Sequence, residues 1–170
     1  MAAARYIALV AGKLKQIAGT VASAGAGDDG KLVALDAAGK LDPTVLPTGV
    51  GAETKLVLTS EALAAGDWVN VYDNAGTANV RKADASDPVK YANGFVLAAF
   101  GSAVNATVYT EGINNQVSGQ TAGIVYLSGA SAGAGITTPP TTAGHIVQQI
   151  GFALSATEVS FEPQLSVELA

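Results

Sequence analysis

The chain has 170 residues, with Lys+Arg 9 against Asp+Glu 14 and a formal net charge of −5 at pH 7. That balance argues against a dedicated nucleic-acid binder, which would present a basic stripe, and the length suits one main globular unit with an appended segment. With no Cys and one His, a disulfide framework, a thiolate metal site, a cysteine nucleophile and a multi-histidine centre within one chain are excluded.

The apolar fraction of 49% supports a core, while charged residues at 14% and 20 glycines give a β-rich character with tight turns. Disorder needs low hydrophobicity and high net charge, which this chain lacks. The segment 1–24 comes first. Ile7, Val10, Leu14, Ile17 and Val21 recur at helical spacing, which predicts a short amphipathic helix with one apolar face. Gly12 and Gly19 weaken it by about 1 kcal/mol each relative to Ala. No signal peptide is expected, because Lys13 and Lys15 interrupt the apolar run. No run is long enough for a transmembrane helix.

Residues 25–55 follow. Lys31-Leu-Val-Ala-Leu-Asp36 alternates like a short strand, and Ala37-Ala38-Gly39 is a turn. Pro43 and Pro47 deny ladder donors and force extended backbone before them. The reading is an extended arm with a short strand or hairpin. Residues 1–55 thus form an N-terminal arm, and 56–170 an all-β domain.

In that domain apolar, β-branched runs recur between turn signals. They are Trp68–Tyr72 before the turn Asp73-Asn74-Ala75-Gly76, then Phe95–Phe100, Val104–Tyr109, Ile124–Leu127 and Ile136–Thr138. His145–Ile150, Gly151–Leu154, Glu158–Phe161 and Leu165–Leu169 complete the series. Short strands at this spacing predict a small barrel or sandwich.

The motifs that resemble chemistry fail on physical grounds. Gly25-x-Gly27-x-x-Gly30 has the letters of a dinucleotide loop and nearly those of a phosphate loop. No parallel strand leads into it, Leu32 stands where a hydroxyl would hold magnesium, and Asp28 and Asp29 would repel phosphate. Gly129-Ala-Ser131-Ala-Gly133 has the letters of a nucleophile elbow. Gly135 and Pro139-Pro140 prevent the following helix, and no acid lies between Ser131 and His145. Asp28, Asp29, Asp36 and Asp42 lack calcium-loop spacing and read as a solvated acidic face. His145 reads as a rim residue. Trp68 and Tyr72 read as core or subunit-contact residues. The expectation is a protein that is not an enzyme and that uses no cofactor or metal.

Two stretches carry a resemblance. Gly27-Asp-Asp-Gly-Lys-Leu-Val-Ala-Leu-Asp-Ala-Ala-Gly-Lys-Leu-Asp-Pro-Thr-Val-Leu-Pro47 resembles a linker of tailed-bacteriophage structural proteins, in heads and tail fibres alike. Ala65–Val69, Gly94–Val96, Gly123–Leu127, Ile136–Pro140, Val147–Ser155 and Thr157–Val167 resemble, in that order, small phage capsid decoration (cement) proteins. The resemblance implies a β-tulip domain with an N-terminal arm, on the outer surface of the virion capsid. It implies binding to the major capsid protein, with neighbouring capsomers cross-linked. A tail-fibre, collar or baseplate module is the alternative.

An extended arm of about 25 residues spans up to roughly 80 Å, enough to reach a neighbouring subunit. Lys31, Leu32, Val33 and Leu35 are expected to add a strand to an exposed sheet edge. Ile7, Val10, Leu14 and Ile17 are expected to fill an apolar groove, with Leu41, Val45 and Leu46 as further arm contacts. Self-association is expected, a homotrimer ahead of a dimer, so that several weak arms act together. Neither nucleic acid nor membrane is an expected partner.

Overall fold

A computed structural model describes residues 4–46 and 53–170. The chain divides into two compact units, Met1–Gly51 and Ala52–Ala170. Among the described residues the structure is mainly β and contains no α-helix, only two short 3-10 turns at Ala26–Asp28 and Pro43–Val45.

In the first unit, the segment read as a helix is a β-hairpin. β1 (Arg5–Val10) pairs antiparallel with β2 (Lys13–Ala18), and Val10 faces Lys13 across a two-residue loop. Ala11 (φ 49°) and Gly12 (φ 76°) both take positive φ. That is the left-handed backbone region a two-residue hairpin turn uses to match the right-handed twist of its strands, and Gly supplies it without strain. The glycine that weakened the helix is the residue that makes the turn. The predicted apolar stripe is divided accordingly, because side chains alternate along a strand. Ile7 and Leu14 lie on one face of the hairpin; Val10 and Ile17 lie on the other, with Tyr6.

The rest of this unit folds back on the hairpin rather than extending freely. Thr20 forms a parallel bridge with Val33. The Thr20 amide donates to Leu32 O (2.9 Å) and the Ala34 amide to Thr20 O (2.8 Å). The Leu32 amide also reaches the Tyr6 hydroxyl at 3.4 Å. Lys31–Leu35 therefore contributes one bridge and not a full strand. Asp36 closes the next turn by accepting amide hydrogen bonds from Ala38 and Lys40. Pro47, the predicted end of the extended segment, lies outside the described residues.

Among its described residues the second unit has twelve strands: β3 (Thr54–Thr59), β4 (Trp68–Asn74), β5 (Thr77–Lys82), β6 (Gly94–Phe95), β7 (Asn105–Tyr109), β8 (Gly112–Asn114), β9 (Gly123–Leu127), β10 (Gly135–Ile136), β11 (Ile146–Val147), β12 (Gln149–Ser155), β13 (Glu158–Phe161) and β14 (Val167–Glu168). β3 runs across the compositional boundary at 55/56. Strands β3, β5, β4, β6 and β7 close into a small barrel. The β3–β5 pair is parallel; the other barrel pairs are antiparallel. A five-stranded sheet follows, in the order β10-β9-β12-β13-β8, and β11 pairs with β14.

Strand periodicity explains how one wall serves two cores. Val57, Val69, Val80, Val96, Ala106 and Val108 fill the barrel with Leu63. Five strands leave a narrow interior, which suits Val and Ala. Trp68 and Phe95, each one residue from a barrel-filling Val, point the opposite way. They meet Val125, Leu127, Ile150, Val159 and Phe161 from the inner face of the sheet. Trp68 stacks on Phe161 at 5.3 Å and meets Phe95 edge-on at 5.7 Å. Such pairs add about 0.5–1.5 kcal/mol each beyond their buried area. Trp68 is thus fully buried in the core of this unit.

Candidate interaction surfaces

The arm residues occupy distinct environments in the first unit. Ile7, Leu9 and Leu14 are 70%, 70% and 77% exposed. Leu32, Val33, Leu35 and Leu41 are also exposed. Val10, Ile17, Val45 and Leu46 are half-buried. Lys31 is held locally by a 2.7 Å ion pair with Asp28. That bond and the Ala24 amide hydrogen bond hold the Asp28 carboxyl below the usual carboxylate range. Asp42 is lowered likewise, by the Thr44 hydroxyl and then the Thr44 amide. The Thr44 hydroxyl also accepts from the Ser23 amide (2.8 Å), tying the 3-10 turn at Pro43–Val45 to the chain after the hairpin. The predicted acidic face is in this sense a set of turn braces. A shallow, mainly apolar groove of about 440 Å³ lies between Ala4–Tyr6, Gly19 and Leu32–Leu35. The structure brings the Leu32–Leu35 run together with the start of β1, a juxtaposition that sequence reasoning did not foresee.

In the second unit Tyr72 is half-buried on β4, with the Arg81 guanidinium 4.1 Å from its ring centre. A cation over an aromatic face is attractive in itself. Arg81 Nε donates to Asn70 Oδ1 at 3.0 Å, so Tyr72 belongs to an intramolecular brace. A groove of about 520 Å³ is lined by Tyr91, Gln148 and Leu165 among others. Its buried Gln148 is spent internally: Oε1 accepts from the Ala92 amide, and Nε2 donates to Ala92 O and Gln164 O. No polar atom of Gln148 is left to converge on a ligand.

Sequence reasoning missed the outer face of the five-stranded sheet. Ile124 pairs with Phe152, Phe152 with Ser160, and Ser160 with Ile113. These four residues form one row across β9, β12, β13 and β8, and Ile113, Ile124, Phe152 and the adjacent Leu154 are exposed. The signal was present as alternation in Gly151-Phe-Ala-Leu154, whose inner members are buried and outer members exposed.

Among the described residues no group of three or more His, Asp or Glu is placed to hold a metal ion, and no helix is long and apolar enough to cross a membrane. No protein-family model matches the chain, and no curated protein or solved structure matches it.

Proposed function

We propose that this chain is a structural virion protein of a tailed bacteriophage that decorates the capsid, binding the major capsid protein and cross-linking neighbouring capsomers. In this reading the second unit is a β-tulip-type body, and the first unit is the attachment piece. The observation that carries the proposal is the exposed run Leu32, Val33, Leu35 and Leu41. It falls within the stretch that resembles the phage structural linker. Exposed apolar side chains grouped on a small unit mark a surface that another protein covers. Val33 makes a single bridge to Thr20, so the segment retains backbone groups for pairing with a sheet edge.

Reconstitution on expanded empty shells tests this reading. The full chain is expected to bind at high copy number and to raise the temperature at which the shells rupture. Leu32→Asp with Leu35→Asp is expected to weaken binding by about tenfold or more while the second unit stays folded. Failure of the full chain to bind, or equal binding by the double variant, overturns it. Copy counting on separated heads and tails distinguishes the tail-fibre, collar or baseplate alternative, which requires the protein in the tail fraction.

A further inference from the structure

Two uncovered β faces in this chain have complementary chemistry. The first is on the hairpin. Ile7, Leu9 and Leu14 share a face with Arg5, and the three apolar side chains are 70% exposed or more. Arg5 is the charged residue of this face, Lys13 and Lys15 lie on the opposite one, and residues 4–27 carry no carboxylate. A two-stranded hairpin is marginal in water without a surface to cover it. The second face is the outer side of the β10-β9-β12-β13-β8 sheet. Its exposed apolar residues are Ile113, Ile124, Phe152 and Leu154. Its charges are acidic: Glu158 alternates with Ser160 along β13, and the Ser160 hydroxyl donates to Glu162 Oε1 at 3.2 Å. Residues 53–170 carry ten carboxylates against Lys55, Arg81, Lys82 and Lys90. Strands β8, β9, β10 and β12 contain no charged residue.

We infer that the hairpin of one copy packs on the outer sheet face of a second copy, so that each copy gives one hairpin and receives one. Both surfaces are flat β faces, which pack about 10 Å apart through interdigitated side chains. Ile7, Leu9 and Leu14 lie against Phe152, Ile124 and Leu154, while Arg5 meets Glu158 and Glu162. The charges fix the pairing. Two sheet faces brought together would oppose carboxylates, and two hairpins would oppose Arg5 residues, whereas hairpin on sheet joins opposite signs. An exchange between two copies closes a dimer, and a head-to-tail cycle closes a larger ring. This inference stands independently of the capsid proposal.

The absence of Cys makes the test clean. Full-length Leu9→Cys and a size-tagged full-length Phe152→Cys are mixed and treated with a short bis-maleimide, because packed sheets lie beyond the reach of a disulfide. The expected product is a covalent heterodimer of the two variants, with each variant alone remaining uncross-linked on a denaturing gel. Sedimentation of the unmodified chain is expected to show an oligomer. Arg5→Glu is expected to weaken it by about tenfold or more, and adding Glu158→Lys with Glu162→Lys is expected to recover most of that loss. A monomeric wild-type chain, same-variant cross-links, or an intrachain product from Leu9→Cys/Phe152→Cys as the dominant species would overturn the inference. So would charge reversals that fail to compensate.

Discussion

Gly151 shows how far one residue constrains this fold. It lies in β12 at φ 154°, where a Cβ would overlap the carbonyl oxygen of Ser160 on the neighbouring strand. The offending atom is backbone, held by the β12–β13 ladder at Gly151↔Phe161, so nothing flexible can move aside. Gly151→Ala is expected to destabilise the second unit by about 3 kcal/mol or more, read by denaturant unfolding through Trp68 fluorescence. Gly101→Ala, where a Cβ meets nothing within 4 Å, serves as the control and is expected to change stability by less than about 0.5 kcal/mol. The sequence marks Gly151 only as the residue between two apolar runs. The close approach of β13 to Gly151 is a property of long-range strand pairing, and no local pattern announces it. Trp68 was legible as a strand residue. Its choice of core was not, because alternation says that Trp68 and Val69 face apart but not what lies on each side.

The lesson of the first 24 residues lies at the level of the element. Ile7, Val10, Leu14 and Ile17 satisfy a helical period, yet the chain forms β1 and β2. The same letters contain an alternating reading, Tyr6/Ala8/Val10 against Ile7/Leu9, and Ala11-Gly12 as a reversal. Ala75-Gly76 repeats that device between β4 and β5, again with both residues at positive φ (52° and 88°). There the preceding Asp73-Asn74 made the turn legible, while Ala11-Gly12 lacked such a flag. The braces of the first unit have a pH consequence. Asp28 and Asp42 are lowered from an ordinary value of 3.8 in the folded chain. Their contribution is therefore present above that value and is lost as the pH falls through the lower, folded-state one. Amide resonances of Ala24 and Thr44, which donate to these carboxylates, are expected to move together below pH 3.8. A two-dimensional NMR titration checks this, with barrel amides such as that of Val80 as the stationary reference.

At the scale of the whole molecule, the β character and most strands of the second unit were readable, because apolar alternation and turn residues coincide there. Barrel closure was not, since it depends on β3 meeting both β5 and β7 at long range. Nor was the short length of β6: of the run Phe95–Phe100, Phe95 joins the barrel ladder, Val96 exchanges backbone hydrogen bonds with Gly66 and Asp67, and Phe100 makes a separate bridge to Leu63. The two cores share β4 and the Phe95–Val96 step at the end of β6, so damage to one is expected to spread. Phe161→Ala removes a ring that touches only the sheet-side cluster, and its cost is about 3–5 kcal/mol. Hydrogen exchange is expected to speed up as much at Val80 and Val108, inside the barrel, as at Val159. Loss of protection confined to β12 and β13 would show the halves to be separable. The shared strand also sets a length. One peptide bond separates the side chain that fills the barrel from the one that anchors the sheet, so bending between the two halves would have to strain a single strand. If the exchange experiment finds them coupled, anything gripping the barrel is held at a near-constant distance and angle from anything resting on the far side of the sheet, and the unit serves as a gauge block as well as a body.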